Sequence, residues 1–147
     1  MAWLFRHKLL ALVIITAAVY WWVNPSHQFG VSYEGFVVYN HIPVFLLDCY
    51  ISPDGKLHLE SDLSVPVNIN YWIQTHLRIH GFPETNLPLL VGTGFSGPPQ
   101  FSFDMRTINH CHALGYEPKF LSSEEAIIRY NALKAKGTNV AILLKVK

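Results

Sequence analysis

Fifteen consecutive residues, Leu9 to Val23, carry no charge and are almost wholly apolar: LLALVIITAAVYWWV. No other segment constrains the chain as strongly, because such a run must be covered by something other than water. Arg6, His7 and Lys8 precede it. Tyr20, Trp21 and Trp22 close it, followed by Asn24 and Pro25. This order predicts a transmembrane helix with an aromatic cluster at its exit, ended by Pro25. At ~1.5 Å per residue the run falls short of a ~30 Å hydrocarbon core; snorkelling of Arg6 and Lys8 and the apolar residues before them reduce the deficit. The competing reading is a cleaved signal peptide, with Thr16 and Ala18 forming a passable cleavage site. Cleavage there would leave the aromatic cluster at a free terminus, so a retained anchor is preferred. Arg6 and Lys8 precede the run and the next Lys or Arg is Lys56. The positive-inside rule then predicts a cytoplasmic amino terminus. The remaining chain would lie on the opposite side, the periplasm for a bacterial inner membrane.

Composition supports an apolar environment for part of the chain. Of its 147 residues only 14% are charged, against ~25% in ordinary soluble domains. The net charge of +1 and the absence of a long basic run leave no electrostatic footprint for nucleic acid. Two cysteines, Cys49 and Cys111, are too few for a disulfide framework and form no C-x-x-C pair.

The rest reads as a linker over residues 25–34 and an α/β domain over residues 35–147. GFVVYN and VFLLDCYIS are strand-like, and Ser52-Pro53-Asp54-Gly55 is a strong turn before KLHLE. The domain therefore opens with an antiparallel β-hairpin. Helical spacing over residues 65–81 includes His76 and His80. NLPLLVG is a short buried strand. Asp104 starts a helix that ends before Gly115, and YEPKFL with its Pro118 suits an edge strand. Ser122 and Glu125 form a capping box, Gly137 terminates the helix they start, and NVAILLKV is a last strand. The fold class is a layered α/β domain behind a single amino-terminal transmembrane helix.

Three features suggest chemistry. Gly92-Thr93-Gly94-Phe95-Ser96-Gly97 after a strand spells the dinucleotide fingerprint. Such a site needs a helix amino terminus directly after the glycines, and Pro98-Pro99 preclude one there. The glycines are better read as a sharp turn or tight packing. Second, His76 and His80 stand four apart, while His110, Cys111 and His112 cluster elsewhere. A metal site would need convergence across helices, and His76 and His80 are its weak candidates. Third, Ser96 resembles part of a nucleophile elbow without matching it. No catalytic constellation or cofactor is expected. Tyr130 and Asn131 are placed to brace a neighbouring loop.

The carboxy-terminal part also resembles a known family. LPLLVGTG and FLSSEEAIIRYNALKAKGTNVAILLKV are similar to segments of the family of mitochondrial respiratory complex I assembly factor 3 and the adipogenesis-associated domain-containing protein. The matching positions are Gly92, Thr93, Gly94, Ala126, Tyr130, Asn131, Leu133, Gly137 and Val140. FLLDCYISPDGKLHL fits the family's strand, turn and strand, so the resemblance spans residues 34–147. Two departures stand out: the membrane anchor, and Thr138 where the family often has Arg. The resemblance implies a compact α/β fold and a role as binding partner in assembling a respiratory complex. The expected function is a non-catalytic, membrane-anchored accessory or assembly subunit of a respiratory or other energy-transducing membrane complex. Its partners would be an integral membrane protein complex, met through helix 9–23 and the globular domain, and the bilayer. The alternative is a small-ligand or enzymatic domain using the Gly92–Gly97 loop. Gly92, Thr93, Gly94, Tyr130 and Asn131 are the candidate contact residues.

Overall fold

The local signals in the sequence produce the local structure expected of them. The computed structural model describes residues 2–60, 86–96 and 104–146. Ser52 accepts a hydrogen bond at its carbonyl from the Gly55 N–H (2.8 Å), closing the Pro53-Asp54 turn, and Gly55 takes φ +83°. The Asp104 carboxylate accepts from the Thr107 N–H at 2.7 Å and caps α2 (Met105–Ala113). The Ser122 hydroxyl accepts from the Glu125 N–H at 3.2 Å and caps α3 (Ser123–Ala135). Gly137 at φ +73° ends α3 in a Schellman motif. The Thr138 N–H reaches the Leu133 carbonyl at 3.0 Å and the Gly137 N–H reaches Lys134 at 2.9 Å.

Among the described residues, eight strands form two sheets. The first is antiparallel and ordered β1 (Phe29–Tyr33), β2 (Phe36–Tyr39), β3 (Ile42–Phe45). The second runs β5 (Leu57–Glu60), β4 (Asp48–Ile51), β8 (Ala141–Leu144), β6 (Leu87–Gly92), β7 (Tyr116–Leu121). Its β5–β4–β8 half is antiparallel and its β8–β6–β7 half parallel. Pro118 lies on the edge strand β7, where a missing N–H costs no ladder bond on the open side.

Alternation along the central strands fills both faces of the larger sheet. Cys49, Ile51, Leu90, Ile142 and Leu144 pack with Ala126, Ile127 and Tyr130 of α3 and with Phe29, Val37 and Tyr39 of the smaller sheet. Tyr50, Leu89, Val91 and Leu143 pack on the other face with Cys111 and Leu114 of the α2 side. The two thiols therefore lie on opposite faces and cannot pair. The domain is a mixed α/β fold with an antiparallel sheet in layers.

Three expectations change. First, residues assigned to the linker include β1, which pairs with β2 from Phe29↔Tyr39 to Tyr33↔Phe36. Second, VFLLDCYIS is two strands in different sheets, because Leu46 turns the chain at φ +51°. Third, the amino-terminal segment forms a helix, α1 (Ala2–Val23), yet no helix among the described residues is long and apolar enough to cross a membrane. The uncharged stretch Leu9–Val23 spans only about 22 Å as a helix, against a ~30 Å hydrocarbon core. The transmembrane anchor, and with it the single-pass location with a cytoplasmic amino terminus and a periplasmic domain, is corrected accordingly.

Candidate functional site

The glycine loop is built to fit against the start of α3. A Cβ on Gly92 would meet the Ser123 Cα at 3.0 Å and Leu144 Cδ1 at 2.6 Å, so only glycine lets strand and helix approach this closely. The loop's N–H groups are spent inside the fold. Thr93 donates to the Leu121 carbonyl at 3.0 Å, and Gly94 donates to Ser123 Oγ at 2.9 Å. Ser123, fully buried, passes its own proton to the Lys145 carbonyl at 2.6 Å. One hydroxyl thus ties the loop, the helix start and the end of β8 together. With both donors taken, Thr93 and Gly94 offer no N–H cradle to an anion, and the third glycine of the fingerprint, Gly97, lies outside the described residues.

Asn131 braces a strand far away in sequence. Its Oδ1 accepts from the Phe29 N–H at 2.9 Å and its Nδ2 donates to the Phe29 carbonyl at 2.7 Å. The carboxamide satisfies both backbone groups on the outer side of β1, as a neighbouring strand would. Beside it, the Tyr130 and Tyr39 hydroxyls meet at 3.1 Å, and Tyr39 donates to the Gly55 carbonyl at 3.1 Å. Burial pushes both phenols above their ordinary range. Lys134 donates to the Pro53 carbonyl at 3.1 Å, and partial burial holds its ammonium below the usual lysine range. Tyr130 and Asn131 therefore join α3 to the smaller sheet and to the turn at Pro53.

Between β1 and α3 lies an open cleft of about 520 Å³. Tyr33 and Glu34 border one side, Glu124, Ile127 and Ile128 the other, and Phe95 of the glycine loop one end. Ser96 donates to Glu34 Oε2 at 3.2 Å.

The last turn of α1 is fastened to the smaller sheet. Asn40 and His41, at φ +48° and +65°, form the two-residue turn between β2 and β3. Tyr20 donates its hydroxyl proton to the His41 carbonyl at 2.8 Å, and the Trp21 ring stacks on the His41 ring at 4.1 Å. Asn24, 1% exposed, donates to the Tyr20 carbonyl at 2.9 Å and accepts from the Val31 N–H at 3.1 Å. A Cβ on Gly30 would fall 2.1 Å from Asn24 Oδ1, so the strand must carry glycine there. Above this clamp α1 projects with its aliphatic side chains uncovered.

Sequence reasoning passed over Asn24 and Ser123, whose partners are backbone groups remote from them. It also passed over Asp48, buried and accepting from the Val146 N–H at 2.8 Å. His76 and His80 lie outside the described residues. Of the second cluster, Cys111 is buried under α2 while His112 is exposed. Burial pushes the Cys111 thiol up to about 12. Among the described residues no group of three or more His, Cys, Asp or Glu side chains could hold a metal ion.

These layers define a class: a small α/β domain in which one helix clamps a three-stranded antiparallel sheet against a five-stranded mixed one. Solved structures share the fold. A crystal structure of a protein from Bordetella parapertussis aligns with a TM-score of 0.64 at 21% identity, over 82% of this chain and 95% of that one. An outer membrane protein from Bartonella henselae aligns with 0.65 at 17% identity, over 84% and 97%. A Mth938-like domain from Bordetella pertussis aligns with 0.62 at 19% identity, over 81% and 85%. At these identities the likeness is one of fold, and the fold is that of the Mth938-like domains. No protein-family model matches the sequence, and no curated protein matches it. The expected kinship with the complex I assembly factor family is corrected on this ground: the structural neighbours are Mth938-like domains, and nothing found ties the chain to that assembly family.

Proposed function

We propose that this chain is a non-catalytic accessory or assembly subunit, binding a larger protein complex through α1 and the globular domain. The observation that supports the reading is the surface of α1. Seven aliphatic side chains between Leu9 and Val19 are each more than half exposed, and Trp22 is 88% exposed. From Leu9 to Val19 the helix is apolar around its circumference, and such a surface requires apolar cover. Burying the exposed part of each aliphatic side chain is worth about 1 kcal/mol, so the seven together supply about 7 kcal/mol before the costs of association. The Tyr20, Trp21 and Asn24 contacts hold the helix at a fixed angle to the domain, which lowers the ordering cost of docking.

The experiment is photo-cross-linking in cells from positions Val13 and Ile14 of the full chain. The expected result is one protein adduct of the same mass from both positions, lost when Leu12 and Ile15 are replaced by lysine. Adducts to lipid alone, or no protein adduct from either position, would refute the reading.

A further inference from the structure

We infer that the cleft between β1 and α3 receives an arginine side chain presented by a peptide of the partner complex. The inference rests on the accessory-subunit reading for the origin of that peptide. The cleft itself dictates the chemistry. Among the described residues its two charged groups are both carboxylates, Glu34 on the β1 side and Glu124 on α3, and no basic side chain lines it. An anion would meet like charge from both sides. A purely apolar occupant would strip water from the carboxylates without replacing it. A cation is the complementary occupant.

The other polar side chains among the described lining residues, Ser32, Tyr33 and Asn131, are neutral. Both ends of the Asn131 carboxamide are held by Phe29, and the Ser96 hydroxyl is directed at Glu34. The charged acceptors are the carboxylates, each with several lone-pair directions. Beside Gly30 and Ser32, the remaining wall is aromatic and aliphatic: Tyr33, Phe95, Ile127 and Ile128. A guanidinium fits that combination better than an ammonium. It is planar and weakly hydrated, it stacks on aromatic faces, and it presents paired donors to a carboxylate. Its aliphatic stem would lie along Ile127 and Ile128.

The test is a titration of the full chain with acetyl-Ala-Arg-Ala-amide at low ionic strength, followed by backbone amide NMR. The citrulline and lysine counterparts serve as comparisons. Citrulline keeps the shape and removes the charge. The expected result is saturable binding of the arginine peptide, with the largest shifts at Gly30, Phe95 and Ile128, and at least tenfold weaker binding of the citrulline peptide. The double variant Glu34→Gln/Glu124→Gln should erase that difference while still unfolding cooperatively, with a Tm lowered by only a few degrees, since both side chains are exposed and Glu124 lies in the first turn of α3. Equal binding of arginine and citrulline peptides, absence of saturable binding, or shifts centred elsewhere would overturn the inference. A lysine peptide binding as tightly as the arginine one would overturn the assignment to guanidinium. The titration does not involve α1, so this inference and the proposed function can fail separately.

Discussion

Replacing Asn131 should destabilise the fold by an amount that depends on which half of its clamp is lost. The carboxamide makes two hydrogen bonds to Phe29, 102 residues away, in a part-buried setting. Each such bond contributes about 1 kcal/mol net, and leaving the Phe29 groups unpaired adds to the loss. Asn131→Ala should therefore cost about 2 kcal/mol, equivalent to roughly 6–10 °C in Tm for a chain of this length. Asn131→Asp separates the two bonds. The carboxylate can still accept from the Phe29 N–H, but its second oxygen faces the Phe29 carbonyl with no proton between them. The ionised form is disfavoured in the folded state, so the folded pKa of this aspartate lies above its unfolded value of ~3.9. For a raised folded pKa, the stability is present below the unfolded value and lost as pH rises through the folded one. Asn131→Asp should thus be at least as destabilised as the alanine variant at pH 7 and recover about 1 kcal/mol or more relative to the parent near pH 4. Urea denaturation of the parent and both variants at the two pH values measures this. An alanine variant within about 0.5 kcal/mol of the parent would refute the clamp. An aspartate variant whose deficit is the same at both pH values would refute the donor assignment.

Three further outcomes follow from single contacts. Gly92→Ala should cost about 1–3 kcal/mol by overpacking against the Ser123 backbone, whereas Gly137→Ala, with nothing within 4 Å, should cost only the ~1 kcal/mol of its positive φ; thermal unfolding of both variants decides the order. Hydrogen bonds from Lys56 and Ser52 hold Asp54 down to about 2, so its contribution to the turn should persist above the ordinary carboxylate range and fade as pH falls from ~4 to 2, a largely exposed and hence small effect that NMR titration of Asp54 will register. Cys49 and Cys111 should form no intramolecular disulfide under mild oxidation and should resist Ellman's reagent in the folded state at pH 8, because burial raises both thiols and the central sheet lies between them; rapid reaction of either would contradict the burial.

What the sequence disclosed and what it withheld divide along the range of the interactions. Ser52–Gly55, the two helix caps at Asp104 and Ser122, and the terminators Gly115 and Gly137 were legible because each signal and its partner lie within five residues. The strand at Phe29–Tyr33 was not, because its outer edge is held by Asn24 and Asn131, both binding backbone groups that every residue possesses. A side chain that recognises the main chain leaves no complementary residue to search for. The switch of sheets at Leu46 is hidden for a related reason: a leucine at positive φ carries no mark in composition, and only the pairing of β4 with β8 reveals it. The glycine run shows the converse error. Its spelling suggested a ligand, but Gly92 is fixed by the approach of Ser123, and the Gly94 N–H is taken by the Ser123 hydroxyl. The apolar run at Leu9–Val23 was legible as a helix that water cannot cover. Its environment was misassigned because hydropathy measures the need for cover and not its identity. The Tyr20, Trp21 and Asn24 contacts with the smaller sheet add what hydropathy lacked, a fixed geometry from which a partner surface can be sought.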